Sequence, residues 1–159
     1  MIYEYTFANA TVHVQPKSND QDLYLLRLRG AQKCQPVIAL LVTCHLVRKE
    51  ASPVFNELVI FDLTPYYNCM AAVYELGPDV CQSVRAIQIE PRLAKRLAVG
   101  LQLGLSSGES SQHLLPSLQR VFIRHDSKLF GLLLVSHDLA IRAVRLYFGS
   151  ESVQVHFVK

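Results

Sequence analysis

The chain has 159 residues, of which 50% are hydrophobic and 18% are charged. This composition excludes a disordered tail or linker protein, and the length fits one domain with a single core. Sixteen Lys and Arg against 13 Asp and Glu leave a net charge of +3, which is too small to imply nucleic-acid binding without a clustered basic face. We therefore predict a single domain over residues 1–159 and no nucleic-acid partner.

Targeting and membrane signals point to an intracellular protein. The apolar stretch Val37–Val42 is far shorter than the ~20 residues that cross a bilayer. Glu4 stands where a signal peptide carries positive charge. The cysteines are typical of buried, reduced thiols: Cys34, Cys44, Cys69 and Cys81. We predict a cytoplasmic or nuclear location and no membrane partner.

Runs of apolar residues with a period of two alternate with runs of helical period, which indicates a mixed α/β fold of short strands and helices. The first segment, Met1–Ala10, predicts a helix of about two turns, which would be marginal alone. Thr11–Gln15 and Leu23–Arg29 predict two strands on either side of a polar turn at Pro16.

The most regular helical pattern in the chain covers Pro36–Glu50. It predicts a buried apolar stripe formed by Ile38, Leu41, Val42 and Val47. At Ser52-Pro53 the helix can end, or a new turn can carry Val54 and Phe55 towards Leu58.

The middle of the chain predicts a strand followed by a helix. Val59–Leu63 is rich in β-branched and aromatic residues and predicts the strand. Thr64-Pro65 predicts the start of the helix, with Thr64 as N-cap and Pro65 at the first helical position. Gly77-Pro78 predicts its end.

The second half predicts strands and helices in alternation. In chain order these are the strand Ser83–Glu90, the helix Leu93–Leu105, the loop Ser106–Gln112, the strand Leu118–Arg124, the helix Phe130–Leu146 and the strand Val153–Val158. In the first two of these strands, arginine and glutamine alternate with apolar residues and can face water. This half is weakly similar to leucine-rich repeats, although two units are too few for an independent solenoid.

Two stretches together resemble fungal F-box-like domains. Met1–Phe7, with the letters M-I-Y-E-Y-T-F, is similar to the helix that follows the Leu-Pro-x-Glu-Ile-Arg start of that family. Ala39–Phe55, which contains L-L-V-T-C-H-L-V-R-K-E-A-S-P-V-F, is similar to its second characteristic helix. Val59–Leu63 follows where the family has a strand, and Leu115–Val121 resembles its later leucine-proline-leucine strand entry.

The chain departs from the family pattern in two places. The Leu-Pro-x-Glu-Ile-Arg segment is missing, and His45-Leu46 stands where the family usually has arginine and glutamine. The resemblance implies an intracellular fungal protein-interaction domain without established catalysis. Assembly into a ubiquitin ligase does not follow, because the family docks its cullin adaptor through helices around the missing start. We expect a shortened or accessory member of the family.

The missing first motif suggests a partner contact at the amino terminus. Without its usual cover, the first helix would expose an apolar edge formed by Ile2, Tyr3, Tyr5 and Phe7. The alternative is that Ile2, Tyr5 and Phe7 pack onto the predicted strand at Leu23–Leu28.

No pattern of catalytic, cofactor-binding or metal-binding residues emerges. The six histidines are scattered singly, whereas zinc sites need clustered ligands: His13, His45, His113, His125, His137 and His156. Cys44 and His45 are neighbours that point about 100° apart on a helix and do not form a nucleophile–base pair. Arg92, Lys95 and Arg96 share one helix face, which is typical of a solvated surface or of a weak phosphate-binding patch.

The sequence thus predicts a non-enzymatic, adaptor-like protein-interaction domain of the fungal F-box-like type, with no cofactor and an unspecified protein partner. Two alternatives stay open. One is an accessory protein of a fungal biosynthetic pathway without activity of its own. The other is a small α/β enzyme with a dispersed site, for which a concave pocket holding at least two convergent titratable groups would be the evidence.

Overall fold

The described elements form a parallel sheet with helices packed on it. The computed structural model describes residues 10–13, 45–66, 69–105, 114–124 and 135–158. The strands are β1 (Thr11–His13), β2 (Ile60–Asp62), β3 (Ala86–Ile89), β4 (Arg120–Arg124) and β5 (Gln154–Val158). The helices are α1 (His45–Leu58), α2 (Cys69–Leu76), α3 (Pro78–Ser83), α4 (Pro91–Gln102) and α5 (His137–Phe148). Residues 1–9 of the first predicted helix, the predicted strand 23–29 and residues 36–44 of the next helix lie outside these ranges, and Ala10 is not helical.

All neighbouring strands of the sheet are parallel, and their order is β1-β2-β3-β4-β5. Strand–helix–strand connections are almost always right-handed, and a sheet that grows in one direction by such connections has its helices on one face. The mixed α/β fold, with short strands alternating with helices, is confirmed. The order of the described strands never reverses, so these five strands form no crevice of the kind at which doubly wound folds bind ligands.

The core lies between the helices and one face of the sheet. Its central row contains Val12, Phe61, Ile87, Val121 and Val155, which are aligned by the strand register. Buried side chains from the described helices pack on this row: Ala51, Phe55, Cys69, Ala72, Val73, Cys81, Leu93, Ala94, Val144, Tyr147 and Phe148. All helices with described side chains therefore contact the same face of the sheet.

Helix α1 continues through Pro53 to Leu58, so the second alternative at Ser52-Pro53 is the correct one. Ala51 and Phe55 are one turn apart and both buried, and this burial holds the helix across the proline. An ion pair between Arg85 Nη2 and Glu57 Oε1, 2.6 Å long, connects the helix to the start of β3. Both side chains are about two-fifths exposed, which limits the pair to about 1 kcal/mol or less.

Two boundaries around α2 differ from prediction. The Thr64 N–H donates to Asp62 Oδ1 at 2.9 Å, so Thr64 belongs to a turn and the helix begins only at Cys69. Gly77, with φ +78°, ends α2, but Pro78 immediately starts α3. Ser83 is therefore helical, and the predicted strand Ser83–Glu90 shortens to β3.

Helix α5 is capped at both ends. The Ser136 Oγ accepts the Leu139 N–H at 3.1 Å, and Gly149 ends the helix with a left-handed φ of +68°. The Arg145 Nε donates to the Val153 carbonyl at 2.9 Å, which ties the helix to the residue before β5.

Replacing Ser136 by alanine should cost about 1 kcal/mol of unfolding free energy, because the Leu139 N–H loses its acceptor. Urea unfolding followed by circular dichroism measures this loss. The control Ser136→Asp keeps an acceptor at the cap and should stay near the wild-type value. Equal stability of Ser136→Ala and the wild type would contradict the cap assignment.

Candidate functional site

The structure does not place the partner contact predicted from the sequence. Ile2, Tyr3, Tyr5 and Phe7 all lie outside the described residues, so this contact stays a prediction. A different surface, within the described part of the chain, has the geometry of a binding site.

This surface is the face of the sheet opposite the helices, which we call the open face. Side chains alternate between the two faces of a strand, and the register aligns them in rows. The open face consists of Thr11, Ile60, Asp62, Ala86, Gln88, Arg120, Phe122, Arg124, Gln154, His156 and Val158. None of these residues belongs to a described core cluster, but Ala86 and Asp62 are buried, at 0% and 2% exposed. The accessible part of this face therefore lies over β4 and β5. No described helix contributes buried residues to this side.

An aromatic pair lies on the open face between the last two strands. Phe122 and His156 are register partners, and their rings are stacked with centroids 5.4 Å apart and planes 24° from parallel. Phe122 is half-buried and His156 is exposed. A partly exposed stacked pair on a sheet gives a flat apolar surface with a polar edge, which suits contact with another protein.

Two arginines flank this pair along β4. Arg120 and Arg124 stand two residues before and after Phe122, and therefore on the same face. Within the described part of the chain, neither guanidinium makes an ion pair or a hydrogen bond. Arg120 is half-buried and Arg124 is exposed, so both can accept a ligand.

Two carboxylates on or next to the neighbouring strands already have partners. Asp62 is only 2% exposed, and its Oδ1 accepts the Thr64 N–H. Glu90 follows β3, one residue after the Ile89–Ile123 register pair, and its Oε1 lies 3.5 Å from Arg92 Nε. The charged side chains of β4 beside Phe122 are thus two arginines without an ion pair in the described part of the chain.

A separate feature of the described residues is an apolar cleft of about 360 Å³ at the carboxyl end of α2. It is lined by Val73, Tyr74, Gly77, Pro78, Cys81, Gln82, Leu114 and Pro116. The Cys81 thiol donates to the Val73 carbonyl at 3.4 Å, and burial raises its pKa. The thiol therefore stays protonated near neutral pH and is a poor nucleophile. Among these lining residues there is no carboxylate or imidazole to act as its base.

Cys69 is a second buried thiol. Cys69 and Cys81 are both free cysteines. Burial raises the pKa of Cys69 to about 12, and the positive charge of Arg96 partly opposes this rise. These properties are those of a core thiol, as the sequence predicts for the cysteines.

The raised pKa of Cys69 predicts a loss of stability at alkaline pH. Below the ordinary value of 9.0, both folded and unfolded chains hold the proton, and the contribution to stability is complete. Between about pH 9 and about pH 12 only the unfolded chain loses it, so the unfolding free energy should fall by up to about 1.4 kcal/mol per pH unit. Urea titrations across this range, compared with Cys69→Ala, measure the effect. An identical alkaline slope in both proteins would contradict it.

Among the described residues, the basic cluster and the histidines form no ligand site. Arg92 and Arg96 are exposed on α4, and Arg92 is paired with Glu90, which supports the solvated-face interpretation. His137 packs on Phe157, with ring centroids 4.3 Å apart. Among the residues that the structure describes, no three His, Cys, Asp or Glu side chains come together as metal ligands.

Sequence reasoning missed the aromatic pair, although a signal was present. In V-F-I-R, the alternation that buries Val121 and Ile123 also places Phe122 on the same face as Arg124. The same alternation in V-Q-V-H-F-V places His156 outward. The informative feature was an aromatic residue on the same side of the strand as the arginines, and not on the side of the core residues.

No family model, curated protein or solved structure matches this chain. None of the described helices combines the length and apolarity needed to cross a membrane. Functional assignment therefore starts from the geometry of the open face.

Proposed function

We propose that this chain is a non-catalytic, adaptor-like protein-interaction domain of the fungal F-box-like type, and that it binds its partner through the open face. The observation that carries the proposal is the stacked Phe122–His156 pair, flanked by Arg120 and Arg124, on the face opposite the helices. Parallel sheets are normally covered on both faces. Repeat proteins with helices on one side use the other side to bind partners.

The chemistry of the apolar cleft supports a binding role over catalysis. The small-enzyme alternative needs a pocket with two convergent titratable groups. The cleft holds the protonated thiol of Cys81 and the phenol of Tyr74, whose residue is 77% exposed. The residues that line the cleft include no carboxylate or imidazole that could act as a base for either side chain.

We place the domain in the cytoplasm or nucleus, with a protein partner rather than a membrane or a nucleic acid. The free, buried thiols of Cys69 and Cys81 agree with a reducing compartment. An accessory role beside a fungal biosynthetic pathway would use the same surface and differ only in the partner.

Site-directed photo-crosslinking in cells of the source organism tests this proposal. A photoreactive phenylalanine analogue replaces Gln154 on the open face or Arg142 on the exposed side of α5. We expect a discrete protein adduct from position 154 that excess wild-type chain displaces, and none from position 142. Adding Phe122→Ser should reduce the adduct from position 154.

Three results would contradict the proposal. The first is the same adduct from positions 154 and 142, which would indicate nonspecific proximity. The second is an adduct from position 154 whose yield Phe122→Ser leaves unchanged. The third is no adduct at position 154.

A further inference from the structure

We propose that the open face binds an extended, acidic segment of a partner protein, with two carboxylates on Arg120 and Arg124 and an apolar side chain between them on Phe122. This inference rests on the proposed function, because it specifies the chemistry of the partner for the same surface. Spacing, charge and the surrounding polar groups each support it.

The spacing of the three side chains matches that of an extended peptide. Arg120, Phe122 and Arg124 are alternate residues of β4, so they repeat every ~6.6 Å along one face. In an extended peptide, alternate side chains repeat at the same distance. A segment with acidic, apolar and acidic residues at positions i, i+2 and i+4 therefore meets all three groups at once when it lies along β4.

The charges make an acidic segment the complementary ligand. Arg85 already has a carboxylate at 2.6 Å and Arg92 has one at 3.5 Å. Arg120 and Arg124 have none within the described ranges, so binding a carboxylate breaks no existing ion pair there. Arginine binds carboxylates through two parallel N–H donors, which adds geometric selectivity to the attraction.

The neighbouring strands provide hydrogen-bonding groups on either side. Gln88 is the register partner of Phe122 on β3, and Gln154 is the partner of Arg120 on β5. Their amides can donate to and accept from the backbone or short polar side chains of the bound segment.

The arrangement of the ring favours a peptide over single-stranded RNA. Bases bind such surfaces by stacking on exposed aromatic rings. The ring of Phe122 is half-buried and already stacked on His156. An aliphatic side chain can contact the remaining edge of the pair, whereas a base would have to displace His156.

Two peptides of identical composition test the inference. The probe is fluorescein-labelled Ser-Glu-Ser-Leu-Ser-Glu-Ser, whose acidic and apolar residues share one face when extended. The control, Ser-Ser-Glu-Leu-Glu-Ser-Ser, places both glutamates opposite the leucine. By fluorescence anisotropy at low salt, we expect the probe to bind at least about tenfold more tightly than the control.

Variants of the full chain assign this binding to the arginines. Arg120→Gln and Arg124→Gln should each weaken probe binding about tenfold, as loss of a charge-assisted hydrogen bond predicts. Arg142→Gln removes an exposed arginine from α5 and should leave binding unchanged. If Arg120→Gln fails to fold, the result for Arg124→Gln decides whether the arginines bind the probe. The Arg124 side chain is exposed, so its substitution should not disturb folding.

Four results would each overturn the inference: equal affinity for both peptides, no saturable binding of the probe, unchanged probe binding by Arg124→Gln, or binding of oligouridine that is tighter than binding of the probe. A different result would contradict the proposed function, namely the loss of the crosslinked adduct from position 154. A crosslinked partner at position 154 together with no probe binding would reject the acidic segment while the interaction surface stands.

Discussion

Ile123→Ala should destabilise the protein by about 3 kcal/mol, whereas Phe122→Ala, one residue away, should cost about 1 kcal/mol or less. Ile123 is fully buried against the helices, and its truncation leaves a cavity that the packed core fills only partly. Phe122 faces the other way and loses contact with the ring of His156.

Urea unfolding of the two variants measures this difference. Phe122→Ala removes more atoms than Ile123→Ala, so a larger loss for the isoleucine can come only from its position. Equal losses, or the larger loss in Phe122→Ala, would contradict the assignment of the two faces.

Ala140→Leu should cost about 2 kcal/mol, because α4 and α5 pack closely through alanines. Ala98 of α4 and Ala140 of α5 are both fully buried, and Ala143 is 4% exposed. A leucine at position 140 adds volume where packing leaves no space, so the helices must separate or side chains must leave their preferred rotamers.

The matched control for this prediction is Arg142→Leu on the same helix. Its side chain is exposed, so the change should stay within about 0.5 kcal/mol. Thermal unfolding by calorimetry compares the two variants with the wild type. An Ala140→Leu protein as stable as Arg142→Leu would show that the interface between α4 and α5 is looser than the structure indicates.

Local patterns predicted the kinds of elements well. Alternation identified β4 and β5, and the helical pattern over Leu93–Leu105 corresponds to α4. These signals are local, because burial of one face dictates which residue types repeat along a strand or helix. The parallel order of the strands and their register depend on contacts between distant segments, which no single run of residues encodes.

Residue types alone did not decide every helix boundary. Thr64-Pro65 has the residue types of a helix start, but the Asp62 carboxylate takes the Thr64 N–H and a turn forms instead. At Pro53 the sequence left two alternatives open, and the burial of Ala51 and Phe55 around the proline carries α1 onward.

The candidate site was harder to predict than the fold. Phe122 and His156 lie in different strands, and they meet only because the register pairs them. Alternation alone places each of them outward. Alternation does not show that the two residues are neighbours, or that the described helices pack on the opposite face of the sheet.

The most direct test of the account is to map the acidic probe peptide onto the chain by NMR, through changes in backbone amide signals of the isotopically labelled protein. The account predicts saturable changes concentrated in Arg120–Arg124 and Gln154–Val158, with the signals of His137–Phe148 unchanged. Changes centred on the helices or on the cleft beside Cys81, or no changes in β4 and β5, would contradict the claim that the open face is the binding surface.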